Sequence, residues 1–222
     1  MNGLTKNTEK IFEKISLLEC VKEYVLIGGT ALALQIMHRK SEDLDFCKWH
    51  KNKNELLKVD WYNIQQQLLT VGDTKITLLS KTQCDFLVEN VRITFLVDNK
   101  FKEPLELQKI HYLNNIYIVD IESIAVMKME VITHRNLFRD FYDIYSILKQ
   151  GVLLSNILYK TGKYTFHNLR KRDMLYLLLS ASKPPIDPTF STLLPKYNVT
   201  FDELKLFFVA KAKEFIENEK SV

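Results

Sequence analysis

Cysteine is scarce in this chain and badly placed for cross-linking. Cys20, Cys47 and Cys84 are odd in number, widely spaced and free of any Cys-x-x-Cys pair. That pattern argues against a disulfide framework and against a cysteine zinc site, and it fits reduced thiols in a cytoplasmic protein. No apolar run approaches the length needed to span a bilayer, so no membrane partner is expected. The first ten residues, Met1-Asn-Gly-Leu-Thr-Lys-Asn-Thr-Glu-Lys10, lack the apolar core of a signal peptide. There is no internal repeat and no low-complexity tract. The net charge is only +4, which permits an RNA partner without demanding one. What is present is an ordinary globular composition, 46% hydrophobic and 26% charged over 222 residues, enough for one large or two small domains.

The most informative segment runs Val25-Leu-Ile-Gly28-Gly29-Thr30-Ala-Leu-Ala-Leu, then His38-Arg39-Lys-Ser41-Glu-Asp43-Leu-Asp45-Phe46. It reads as a buried strand, a diglycine turn, a helix over Ala31 to Met37, and a second strand over Leu44 to Lys48. Strand side chains alternate, so Asp43 and Asp45 share one face while Leu44 and Phe46 point into a core. Two adjacent carboxylates repel unless a cation or a proton lies between them. Oxygen ligands of this kind suit Mg²⁺ (or Mn²⁺), which commonly also takes substrate phosphates as ligands. Gly28 and Gly29 allow backbone to approach a phosphate, and the following helix N-terminus offers N–H groups, with the Thr30 hydroxyl beside them. A tight turn and a solvated strand-end acid pair are the plainer readings of each feature alone; their combination at this spacing favours a phosphate and metal site.

Elsewhere the pattern predicts helices over Lys10 to Glu23, Lys51 to Leu69, Asn136 to Lys149, Leu153 to Tyr159, His167 to Ser180 and Phe201 to Glu217. Strands are expected at Lys75 to Leu79, Asp85 to Val88, Val91 to Val97 and Ile116 to Val119, with Glu89-Asn90 as a two-residue hairpin turn. The fold class is therefore α+β: a mixed β-sheet flanked by helices over residues 1–150, then a helical C-terminal region over 151–222. Lys128 falls in an otherwise apolar helical run, Ile124-Ala-Val-Met-Lys-Met, where a lysine needs a partner or a route to solvent. Asp140 and Asp143, three apart, share a helix face with Arg139 nearby, and a structural Arg–Asp network competes with any catalytic role. Phe141, Tyr142 and Tyr145 read as core, and His38 as a structural or surface histidine rather than a ligand.

The order apolar-Gly-Gly, short helix, Asp-x-Asp resembles the nucleotidyltransferase superfamily of DNA polymerase beta. Together with Ile121-Glu-Ser-Ile-Ala-Val-Met-Lys128 and Arg139-Asp140-Phe-Tyr-Asp143, it resembles the AbiEii/AbiGii abortive-infection toxin family, from about Tyr24 to Gly151. The resemblance implies a nucleotidyltransferase-like fold and a metal-dependent enzyme that moves an NMP from an NTP to an acceptor, with RNA and in particular tRNA suggested. Asp43 and Asp45 would be catalytic metal ligands; Gly28, Gly29, Thr30, Arg39 and Ser41 would bind the nucleotide. Lys128 would contact phosphates, and Asp143 would orient Lys128 or Arg39. A type IV toxin of this kind has a cognate antitoxin that does not form a tight complex with it. One departure is plain: the superfamily carries a third carboxylate on a later strand, and here that position reads Val91-Arg92-Ile93-Thr94-Phe95. Thr94 stands in the acid's place, with Asp85 on the partner strand as a nearby substitute. A catalytically impaired nucleotide-binding regulatory module is therefore the rival reading. Lys160, Lys163, Arg170, Lys171 and Arg172 would be the basic residues available to an RNA backbone, or a solvated helix face.

Overall fold

The computed structural model describes residues 2–49, 57–98, 108–164, 170–185 and 187–220. The chain forms two units, Met1–Asp120 and Ile121–Val222. The sequence-based division after residue 150 leaves two further helices in the first part; these helices belong with the second unit's later helices.

In the first unit, short β-branched and aromatic runs become strands because their alternate residues can be buried. The strands are β1 (Val25–Ile27), β2 (Leu44–Trp49), β3 (Thr74–Leu79), β4 (Gln83–Val88), β5 (Val91–Asp98), β6 (Lys109–Leu113) and β7 (Ile116–Val119). They make one seven-stranded sheet in the order β3-β4-β5-β2-β1-β7-β6. It is mixed: β2 runs parallel to β5 and β1 parallel to β7, while β1 and β2 are antiparallel. Helices α1 (Lys6–Ser16), α2 (Gly28–Ile36) and α3 (Trp61–Leu68) complete the unit. The α+β expectation holds, and the strand register does the work of positioning. Leu26, Phe46, Phe95 and Cys84 lie on one line across β1, β2, β5 and β4. All four are buried, with Phe46 stacked on Phe95 at 5.1 Å and Tyr24 edge-on to Phe95 at 5.1 Å. A fully buried phenylalanine of this kind contributes about 1.5–3 kcal/mol. One residue along, the line reads Ile27, Asp45, Thr94, Asp85, so the polar residues emerge together on the opposite face.

Several boundaries differ from the sequence reading. The helix expected over Lys10 to Glu23 is α1 followed by a separate 3₁₀ turn at Glu19–Glu23. The diglycine is not separate from the helix: Gly28 turns the chain at φ +70° and already counts as the first residue of α2. β6 escaped the sequence reading because Lys109-Ile-His-Tyr-Leu113 is an edge strand whose side chains are largely exposed, leaving little alternation to read. Glu89 and Asn90 do form a two-residue hairpin turn, at φ values of 47° and 64°, the left-handed pair such a turn requires. Residues 51–56 of the helix expected at Lys51 to Leu69, and 167–169 of that at His167 to Ser180, lie outside the described residues. Cys20, Cys47 and Cys84 are free buried thiols, and burial pushes the Cys20 thiol up to about 12.

The second unit is helical among its described residues: α4 (Ile121–Val131), α5 (Phe138–Lys149), α6 (Leu154–Tyr164), α7 (Lys171–Ser180) and α8 (Phe201–Lys220). Helix α4 packs on α5 and α6, and α8 on α5 and α7. Tyr142 is fully buried among Phe138, Phe190 and Tyr197, and its hydroxyl accepts from the Tyr197 backbone N–H at 2.9 Å. Phe141, Tyr142 and Tyr145 are thus packing residues, as expected.

Candidate active site

The first unit gathers seven of the expected site residues in one place. Ile27 is extended, then Gly28 turns the chain at φ +70°, a conformation that L side chains rarely adopt, and α2 begins. A Cβ on Gly28 would lie 3.1 Å from Asp45 Oδ2, and one on Gly29 would lie 2.4 Å from Arg39 Nη2 and 3.5 Å from Ser41 Oγ. The diglycine is therefore fitted directly over Asp45, Arg39 and Ser41. This fixes why side chains are absent there, and it sets the start of α2 beside Asp45.

The loop between α2 and β2 is tied down from two sides. Thr30 is buried; its hydroxyl donates to the Asp43 carbonyl and lies 2.8 Å from the Ser41 hydroxyl. With one proton to give, Thr30 donates to the carbonyl and accepts from Ser41. Both hydroxyls hold the loop. The second tie comes from the N-terminal segment, which the sequence reading missed. Leu4 bridges to Ser41: the Ser41 N–H donates to the Gly3 carbonyl at 2.9 Å and the Thr5 N–H to the Ser41 carbonyl at 3.0 Å. The Thr8 hydroxyl donates to the Glu42 carbonyl at 2.8 Å. Gly3 packs so closely on α2 that a Cβ would meet the Ala33 carbonyl oxygen at 2.6 Å. Arg39 is buried and donates to the Lys40 carbonyl at 3.0 Å, so its guanidinium is set against Gly29 rather than out in solvent. His38 is fully buried, in keeping with a structural role.

Asp43 and Asp45 are both half-buried; Asp45 lies on β2 and Asp43 one residue ahead of it, and both meet the face of β5 that carries Arg92 and Thr94. Register places Thr94 directly beside Asp45 on β5 and Asp85 directly beside Thr94 on β4. Asp85 is therefore in line with the acids but two strands from Asp45, about 9.5 Å at the usual strand spacing. Its carboxylate accepts from Gln83 Nε2 at 2.9 Å. The sequence reading also missed Arg92. Its Nη2 donates to Asp43 Oδ2 at 2.6 Å. Burial pulls the guanidinium pKa down, but the hydrogen bond to Asp43 and the charges of Asp43, Asp45 and Asp85 outweigh it and hold Arg92 above its ordinary value. Among the described residues no cluster of three or more His, Cys, Asp or Glu side chains is arranged to hold a metal. Two carboxylates facing one way, under a glycine that leaves room over Asp45, fit a single divalent cation that completes its shell with water and phosphate oxygens.

The remaining expected residues lie in the second unit. Lys128 on α4 is buried, with Nζ 2.7 Å from Asp140 Oδ1 and 2.7 Å from Asp143 Oδ2 on α5. Arg135 joins through Nε to Asp140 Oδ2 at 2.8 Å. Burial pushes the Asp140 carboxyl up, but Lys128 and Arg135 together outweigh it and hold it below the usual carboxylate value. Arg139 binds Asp187 at 2.6 Å. Of the basic residues further on, Lys160 pairs with Glu122, Arg170 and Arg172 with Asp173, and Lys171 with Glu219.

A strand–Gly-Gly–helix leading to an acid pair on a mixed sheet defines a nucleotidyltransferase fold. The chain matches the model of "Nucleotidyl transferase AbiEii toxin, Type IV TA system" over residues 11–168, and it belongs to that family of nucleotidyltransferases. An uncharacterized protein of Aquifex aeolicus is 25% identical over 98% of this chain and its own whole length. Among solved structures, MenT4, a nucleotidyltransferase toxin of Mycobacterium tuberculosis, superposes with a TM-score of 0.59 at 14% identity, over 95% of this chain and 86% of that one. A putative nucleotidyltransferase of Helicobacter pylori gives 0.58 at 17% identity, over 98% of each chain. At these identities the solved structures speak for the fold.

Proposed function

We propose that this protein transfers a nucleoside monophosphate from an NTP to an RNA acceptor, tRNA being the class the family resemblance suggests. It would act in the cytoplasm as the toxin of an abortive-infection type IV pair whose antitoxin does not bind it tightly. The observation that carries the reading is the seating of Gly28 over Asp45, with Asp43 one residue ahead of β2 and bonded to Arg92 on the same face. Asp43 and Asp45 would hold Mg²⁺ or Mn²⁺, which when bound would polarise the α-phosphate and neutralise the departing pyrophosphate. The N–H groups at Gly28 and Gly29 would receive the triphosphate at the positive end of α2. Thr30 and Ser41 serve by holding the Asp43 loop, and Arg39 by setting a buried positive charge beside the glycines. Lys128 and Asp143 enter this reading through the resemblance alone, since the Lys128 ammonium is already matched by two carboxylates. Lys160, Arg170, Lys171 and Arg172 would be available to an RNA backbone by exchanging their solvent-accessible acidic partners.

The test is purified protein with divalent metal, each α-³²P-labelled NTP in turn and total tRNA. Label on RNA that disappears in Asp43→Ala and Asp45→Ala supports the reading and identifies the nucleotide. A second reading, a nucleotide-binding module without transfer, is favoured by Thr94 beside Asp45. Metal-dependent NTP binding with no labelled product under any nucleotide would establish it.

A further inference from the structure

Arg92 and Thr94 are two apart on β5 and so face the same way; Thr94 pairs with Asp45 of β2, and Arg92 reaches Asp43, one residue ahead of that strand. Pairing of Leu44 with Ile93 and of Asp45 with Thr94 makes a two-by-two block: Arg92 against Asp43, Thr94 against Asp45. Two features therefore lower the negative charge of this face. A hydroxyl stands where an acid beside Asp45 would bring a third negative charge, and a guanidinium is bonded to Asp43. Arg92 offsets one of the two aspartate charges. Such a block balances part of one divalent cation. A second cation would have to share Asp43 with the Arg92 guanidinium, at a separation where repulsion is felt even in water.

Resting on the metal-dependent reading above, we propose that Arg92 takes the place of a second divalent cation and limits the acid pair to one metal ion. Arg92 is a positioning residue in this scheme: it holds the Asp43 carboxylate and sets the number and affinity of cations, without itself being a metal ligand. Its guanidinium is half exposed, so it is also free to adjust as the metal enters.

The direct measurement is a Mn²⁺ titration of the full chain, without nucleotide, read by loss of the free-ion EPR signal. Wild type is expected to bind one Mn²⁺, and Asp45→Asn to abolish that binding. Arg92→Gln should bind its first ion about tenfold more tightly, because the repulsion and the competition for Asp43 are both removed. Arg92→Lys, which keeps the charge, should stay near wild type, and the double variant Arg92→Gln/Thr94→Asp should bind two ions. Thermal melts confirm that each variant is folded; a failed double variant leaves the single-variant comparison decisive. Two ions on wild type, or an Arg92→Gln affinity within twofold of wild type, overturns the role of Arg92 while leaving the metal site standing. No Mn²⁺ binding that depends on Asp45 overturns both.

Discussion

Asp43 meets Arg92 at 2.6 Å with the arginine half out in solvent, whereas Lys128 meets Asp140 and Asp143 at 2.7 Å with all three side chains almost wholly buried. The residue types and the distances are nearly the same. The surroundings differ, and so does what each group can do. Where water reaches, an ion pair is worth little to the fold and its partners can be exchanged, which suits a site that must take up a cation and a triphosphate. Where water is excluded, each charge is held by the others, and losing one strands the rest. The acidic edge of the first unit is thus built for exchange, and the lysine–aspartate knot of the second for permanence.

The sharpest way to break the contrast is at Lys128. Lys128→Met leaves Asp140 and Asp143 buried together without the ammonium they share, and should lower stability by about 3–5 kcal/mol in urea titration. Replacing Lys128, Asp140 and Asp143 together by Met, Leu and Leu should recover most of that loss. If single and triple variants fall equally, the knot is not the unit proposed here.

A gentler break protonates the knot instead of deleting its lysine. Asp140 has a folded pKa below its unfolded value, so the stability it contributes is present above about pH 4 and is lost as the pH falls through the folded value. Urea midpoints measured downward from pH 6 should decline below about pH 4, and Asp140→Asn, though less stable throughout, should flatten that decline. An unchanged acid limb in the variant would mean that other carboxylates carry it.

How far these two regions were legible in the sequence differs for the same physical reason. Val25 to Phe46 is local: one strand, one helix and one strand in succession, so periodicity and two glycines suffice to read it. The polar row also follows from alternation once a strand is known. Arg92 reaches Asp43 across 49 residues of chain, and only the parallel register of β5 on β2 brings them together. The bridging of Leu4 to Ser41 and the edge strand β6 are equally non-local. Lys128 reads in the sequence as a lysine in need of a partner, with Asp143 expected to orient either Lys128 or Arg39, and the structure puts Asp143 on Lys128. That Asp140 shares the amine, and that Arg139 leaves for Asp187, depends on side-chain directions that spacing alone does not give.

Gly28→Ala tests the seat over the acid pair. The new Cβ adds left-handed strain of about 1–2 kcal/mol. It would also lie 3.1 Å from Asp45 Oδ2, so the carboxylate must shift by a few tenths of an ångström. Stability should fall by no more than that strain, measured by thermal melting, while Asp45-dependent Mn²⁺ affinity falls with it. A melt lowered as expected with metal affinity intact would show that the glycine serves the fold and not the site.

The smallest expected effect on the fold is the most telling for function. Asp43→Asn removes one half of an exposed ion pair and keeps the shape of the side chain, so stability should change by less than about 1 kcal/mol in either direction. The loop itself is held through the Asp43 carbonyl and through Ser41 and Glu42, none of which the substitution alters. If nucleotidyl transfer nonetheless collapses, the carboxylate acts in the chemistry and not in the scaffold. Were Asp43→Asn to melt as early as Lys128→Met, the acidic edge would be one more structural knot, and the contrast between the two regions would disappear.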